Sequence, residues 1–257
     1  MVIDMKLEFC GKSDIGQKRE INQDMLGMYQ KEDAGLFVVA DGMGGHTDGE
    51  KASRLVVAQL ADWWKDFSPD MYEYEFRKMI VAIEQSIEYA NEKIYKNFNR
   101  NGICGTTVVV LFIYQNRYAV VYAGDSRCYL GGSHGNFLWR KEKWEQLTTD
   151  EVWENQSCLS RAERKMKNHP NMGKLVNAVG IRKEIRCRVI TDIILPDAVF
   201  LLCTDGLYKF CSDRLLRACV QTDWMSPEPA VDKLIEEVYK NGADDNITVI
   251  IVKCQKE

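Results

Sequence analysis

The sequence predicts an α+β fold: a four-layer αββα sandwich of two antiparallel sheets flanked by helix pairs. Three observations predict it. Strand-like apolar runs follow one another across turns of two to four residues, too short for parallel crossover units. The helical segments come in two pairs, each with a narrow apolar stripe, so each pair lies on a sheet rather than inside it. The chain has 257 residues, 46% hydrophobic and 28% charged, with no Pro/Gly/Ser linker. Residues 1–257 therefore read as a single domain with one large core.

Met5 to Cys10 alternates weakly and reads as the first strand, followed by a turn-like Gly11-Lys12-Ser13-Asp14 and Gly16. Arg19 to Asp24 leads to a short strand, Met25 to Tyr29, which pairs as a hairpin with Leu36 to Ala40 across the polar turn Lys31-Glu32-Asp33. Gly49-Glu50 opens a helix to about Phe67, with Ala52, Leu55, Val56, Leu60 and Trp63 on one face. A longer helix runs from about Tyr74 to Phe98, where Phe76, Met79, Ile80, Ile83, Ile87, Ala90 and Ile94 keep the three-and-four spacing. The period then changes to that of strands: Thr106 to Tyr114, Tyr118 to Ala123 and Arg127 to Leu130, with Gln115-Asn116-Arg117 as a hairpin turn. Glu145 to Thr148 ends a further strand. Strand patterning vanishes between Thr149 and Gly180, a length that marks a functional or mobile loop. Strands resume at Arg186 to Ile193 and Val199 to Thr204. Ser212-Asp213 caps a short helix through Cys219, and Pro227-Glu228 starts another with Val231, Leu234, Ile235 and Val238 inward. Ile247 to Lys253 is the last strand.

The net charge of -4 argues against nucleic acid or an anionic membrane as the main partner. Nine cysteines, an odd number without Cys-x-x-Cys spacing, read as small buried hydrophobes in a reducing cytosol, so the expected location is cytoplasmic. The first residues carry no secretory leader pattern, and no run of eighteen apolar residues exists to span a membrane.

Four strands carry an Asp at one tip. Leu36 to Ala40 runs into Asp41-Gly42, Tyr118 to Ala123 into Gly124-Asp125 and Val199 to Thr204 into Asp205-Gly206, while Asp245-Asn246 precedes Ile247 to Val252. One such turn alone reads either as a tight polar turn or as a metal ligand. Four suggest a shared edge where the acids converge. Carboxylates that close raise one another's pKa unless a cation neutralises them, and an oxygen-only set selects Mg or Mn over Zn.

Six motifs then stand in register: Arg19-x-x-Asn22-Gln23-Asp24, Val38 to His46 (VVADGMGGH), Gly105-Thr106-Thr107, Ala123 to Arg127 (AGDSR), Cys203 to Tyr208 (CTDGLY) and Asp244 to Val252 (DDNITVIIV). In that order and spacing the chain resembles, over essentially its whole length, the bacterial form of the metal-dependent protein serine/threonine phosphatases of type 2C, the PPM family. The resemblance implies hydrolysis of phosphoserine and phosphothreonine by in-line attack of a water held between two Mn2+ or Mg2+ ions, with no phospho-enzyme. It implies Asp41 bridging both ions, the Gly42 carbonyl on one, and Asp205 and Asp245 on the other. Asp125 with Asp205 resembles a third, weaker metal position. Arg19 looks like the phosphate clamp, whose planar fork suits two phosphate oxygens, and Asp24 like the acid that orients the attacking water. The implied partners are phosphorylated proteins, among them a Hanks-type Ser/Thr kinase and its targets, acted on by a monomer.

Gln23 stands where most of that family has a Glu touching the second ion. A neutral amide removes one negative charge, so weaker binding of the second ion is expected. Met43 occupies the position of a His found in eukaryotic members, and His46 reads as a loop residue before it reads as a proton donor. Asp150 is a conceivable extra ligand but reads first as an exposed loop acid. Arg161, Arg164, Lys165 and Lys167 read as a solvated helix face or as a surface for an acidic phosphoprotein. His134 and His169 lack metal-ligand spacing, and Asp245, not Asp244, matches the family's Asp-Asn pair. Two rival functions remain. A non-catalytic sensing or binding module of the same fold would be favoured by loss of Asp41, Asp205 or Asp245, all of which are present. A hydrolase of small phosphoesters would need a deep pocket.

Overall fold

Strands that are apolar on both faces must be covered on both sides, and the fold is the layered arrangement that does this. In the computed structural model the described residues are 5–44, 48–98, 103–134, 141–160, 169–195, 197–220 and 226–256. The elements run β1 (Met5–Asp14), β2 (Asp24–Lys31), β3 (Ala34–Met43), α1 (Asp48–Asp66), α2 (Phe76–Asn97), β4 (Gly105–Thr106), β5 (Val108–Tyr114), β6 (Arg117–Ala123), β7 (Arg127–His134), β8 (Lys141–Gln146), β9 (Arg188–Ile193), β10 (Val199–Cys203), α3 (Asp205–Tyr208), α4 (Asp213–Val220), α5 (Pro227–Lys240) and β11 (Ile247–Lys256). One sheet has the order β1-β11-β10-β7-β8 and the other β2-β3-β5-β6-β9, with β4 attached to β3. Neighbouring strands among the described residues pair antiparallel, as in β1 with β11 and β3 with β5.

Alternation along each strand assigns side chains to layers. On β3, Phe37 and Val39 meet Leu111, Phe200 and Ile250 between the sheets, whereas Leu36, Val38 and Ala40 meet Val56, Leu60, Ile83 and Ile87 of the first helix pair. On the far side Leu201, Val249 and Ile251 pack under Leu216, Val231 and Leu234. Each such side chain contributes roughly 1.5–3 kcal/mol on leaving water, which is what holds the four layers together. The predicted sandwich is therefore present, with α1 and α2 on one outside and α4 and α5 on the other.

Local differences have physical reasons. The predicted turn at Gly11 to Asp14 is strand: β1 continues to pair with β11 as far as Asp14 opposite Ile247. Gly11 serves close approach there, since a Cβ would fall 2.9 Å from Ile250 and from the Met28 sulfur. The face of α1 is rotated from that expected, with Val57 and Trp64 buried and Leu55 and Trp63 only partly so. The run from Thr106 to Tyr114 breaks at Thr107, whose amide donates to the Asp41 carbonyl at 2.8 Å instead of joining a ladder. The chain at Asp205-Gly206 is the first turn of α3 rather than a simple turn. No helix among the described residues is long and apolar enough to cross a membrane.

Candidate active site

The strand ends are fixed by hydrogen bonds between loops far apart in sequence. Asp24 lies opposite Asp41 in the β2–β3 ladder, so two of the acids share one strand pair. The Asp41 amide donates to the Thr107 hydroxyl at 2.9 Å, and its carbonyl accepts from the Thr106 hydroxyl at 2.9 Å. Both main-chain groups of Asp41 are thus satisfied, and its side chain lines the cleft although β3 runs two residues further, to Met43. Gly42 donates to the Gln23 carbonyl at 3.1 Å, and a Cβ there would run into the carbonyls of Gly49 and Gln23. No other residue fits so close an approach.

Asn246 joins three segments. Its side-chain amide donates to the carbonyls of Ile15 at 2.9 Å and Ile21 at 3.1 Å, and its side-chain oxygen accepts from the Gln23 amide at 2.9 Å. Gly206 of α3 lies against the Asn246 carbonyl, where any Cβ would collide. The Asp-Gly and Asp-Asn tips are therefore packed on one another, which brings Asp205 and Asp245 together. Buried Thr204 donates its hydroxyl to Asp24 at 2.8 Å and accepts from the Thr248 amide at 3.0 Å, tying one sheet to the other just behind the tips.

The result is a cleft of about 310 Å³. Arg19, Gln23, Asp41, Gly42, Asp125, Asp205 and Asp245 all line it, and Asp24 is buried behind them. Burial, then the charges of Asp24, Asp205, Asp125 and Asp245, push the Asp41 carboxyl well above the usual range. Burial raises Asp24 to about 7 against the opposing hydrogen bonds of Thr248 and Thr204. Asp125 is pushed up to about 6 by burial and then by Asp205, while Lys209 pulls the other way. Two cations answer these acids. The Arg19 fork holds Asp245 through contacts of 2.8 and 2.9 Å, and Lys209 pairs with Asp205.

Five carboxylates against two cationic side chains leave an excess of negative charge, and the available donors are carboxylate, carbonyl and amide oxygens. That donor chemistry fits Mg or Mn rather than Zn. Among the described residues no three His, Cys, Asp or Glu side chains already form a ready-made chelate. The acids line a common wall, with Asp245 and Asp205 turned toward Arg19 and Lys209.

Other residues singled out from the sequence fall elsewhere. Asp150 is neither an extra ligand nor an exposed loop acid: Arg127 grips it with two bonds of 2.9 and 2.7 Å, and the same guanidinium lies 3.5 Å over the Tyr208 ring. Asp244 pairs with Lys18 at 2.7 Å on the surface. His169 stacks on Trp153 with ring centroids 3.8 Å apart. His46 and the basic residues Arg161, Arg164, Lys165 and Lys167 lie outside the described residues, as does the His134 side chain. Six of the nine cysteines are buried as expected, whereas Cys10 and Cys187 are half-buried and Cys158 is exposed. The long segment supplies Gly173 and Leu175 to the cleft wall, and Glu151 within it accepts from the Gly124 amide at 3.1 Å, supporting the Asp125 turn. Lys209 escaped notice in the sequence; its signal was the four-residue spacing from Asp205, visible only if a helix starts there.

A family model described as Protein phosphatase 2C matches residues 10–249. The Serine/threonine phosphatase stp of Listeria monocytogenes serovar 1/2a is 30% identical over 257 residues, covering 97% of this chain and 96% of that protein. Protein phosphatase PhpP of Streptococcus pneumoniae serotype 2 is 31% identical over 259 residues, with 98% and 99% covered. The solved S. agalactiae serine/threonine phosphatase superposes with a TM-score of 0.81 at 26% identity, covering 98% of this chain and all of that one.

Proposed function

The chain belongs to the protein phosphatase 2C family and is a protein serine/threonine phosphatase, and from that premise we propose that it works through two divalent ions, Mn2+ or Mg2+, held at the cleft. The observation that carries this reading is the convergence of Asp41, Asp125, Asp205 and Asp245 on one wall, with Asp24 behind it and too few cations to balance them. Asp41 and the Gly42 carbonyl would hold one ion, and Asp41 with Asp205 and Asp245 the other. Gln23 would meet the second ion through water. When bound, the ions make a water acidic enough to ionise near neutral pH and offset charge building on the phosphoryl oxygens.

The remaining work falls to this chain's own groups. Arg19 stands at the cleft with a planar fork already matched to a pair of carboxylate oxygens, and a phosphoryl group presents the same pair. Asp24, held on one oxygen by Thr204, would orient the attacking water from behind the wall. Nine free thiols support a reducing, cytoplasmic setting. There the whole chain would act as one monomeric catalytic unit on phosphorylated proteins, including the targets of a Hanks-type kinase.

Hydrolysis of an aryl phosphate and of a phosphothreonine peptide, with Mn2+, with chelator and in Asp205→Ala, tests the proposal. Chelation should abolish turnover of both, and Asp205→Ala should lower it roughly 100-fold or more. Turnover that ignores the chelator would discard the metal mechanism, and equal rates on phosphotyrosine peptides would discard the substrate class.

A further inference from the structure

We infer that Lys209 fills, with its own ammonium, the position between Asp125 and Asp205 assigned above to a third divalent ion, so that this chain loads two ions and not three. The inference rests on the metal reading of the cleft and changes its stoichiometry.

Lys209 follows the single turn of α3, and its amide donates to the Asp205 carbonyl at 3.0 Å. That turn brings its side chain back along the helix, where the ammonium donates to the Asp205 carboxylate. An i,i+4 pair on a solvated helix would add little. This pair differs in two respects. The Asp205 side chain keeps only 16% of its surface exposed, and Lys209 itself lines the acid-walled cleft. Asp125, on the connection that leads from β6 of one sheet to β7 of the other, lines the same cleft. One cation thus stands on Asp205 in the cleft that Asp125 also lines, where a third ion would need both acids. An ammonium and a divalent ion cannot share that place, because the two repel and compete for the same Asp205 oxygen.

Equilibrium dialysis with Mn2+ and the spin-resonance signal of the free ion count bound ions in the wild type, in Lys209→Met and in Lys209→Met with Asp125→Asn. Lys209→Met keeps the length of the stem and removes the charge, and the exposed position makes misfolding an unneeded complication; Lys209→Gln serves as the duplicate. The wild type should bind two ions. Lys209→Met should gain a third, about tenfold or more tighter than any third step in the wild type. Adding Asp125→Asn should remove the gain. A wild type that already binds a third ion sensitive to Asp125→Asn, or a Lys209→Met that gains none, would overturn the inference. A wild type that binds no Mn2+ would instead bring down the metal reading beneath it.

Discussion

Gln23 is where the chemistry of one residue decides a property of the whole site. Its amide nitrogen and carbonyl are committed to Asn246, Gly42 and Ser53, so the backbone here is fixed whatever the side chain. The side chain, lying against Gly49, is what faces the cleft. Replacing it by Glu adds one negative charge without disturbing that backbone. Gln23→Glu should therefore bind its second Mn2+ roughly tenfold more tightly, as read by calorimetric titration. Indistinguishable affinities in the two proteins would refute the assignment. The acids themselves were legible in the sequence, because an Asp at the end of an apolar run has no purpose in a core. Asp150 was not, since nothing local says that Arg127, twenty-three positions earlier, will grip it with both arms of its guanidinium.

At the scale of elements, the site depends on where strands stop. β10 ends at Cys203, and the next residue, Thr204, sends its hydroxyl to Asp24 of β2 and receives the amide of Thr248 on β11. A single buried hydroxyl thereby couples two strands of one sheet to the first acid of the other. Thr204→Val keeps the shape but removes the acceptor of the Thr248 amide and one of the two hydroxyl bonds to Asp24, so it should cost about 1–3 kcal/mol in urea unfolding. A loss near zero would show that this link is incidental. The periodic helices and apolar strands were readable because burial imposes their spacing. The continuation of β1 through Gly11 to Asp14 was not, because glycine signals a turn and a close approach with the same letter. Nor was α3, a helix of one turn, too short for periodicity to register.

At the scale of the molecule, two sheets stacked with their helices outside bring the ends of β3, β6, β10 and the start of β11 to one edge. That arrangement converts residues separated by as many as 226 positions into neighbours. Layer class was foreseeable from the element order. The strand order was not, since β1 pairs with β11 across nearly the whole chain and no local pattern encodes such a partner. The charge consequence belongs to this scale as well: burial and mutual repulsion raise Asp24 to about 7, Asp125 to about 6 and Asp41 well above the usual range, so full ionisation of these acids is disfavoured while nothing neutralises them. Divalent ions relieve that repulsion, and the family membership of the chain makes them the natural agents. Crystals soaked in Mn2+ and measured at the manganese edge put the idea to its most direct test. Two anomalous peaks should appear in the cleft, both in contact with the Asp41 carboxylate and flanked by Asp205 and Asp245, with Asp245 released from Arg19. A cleft without peaks, with Asp245 still turned to Arg19 in saturating Mn2+, would contradict it.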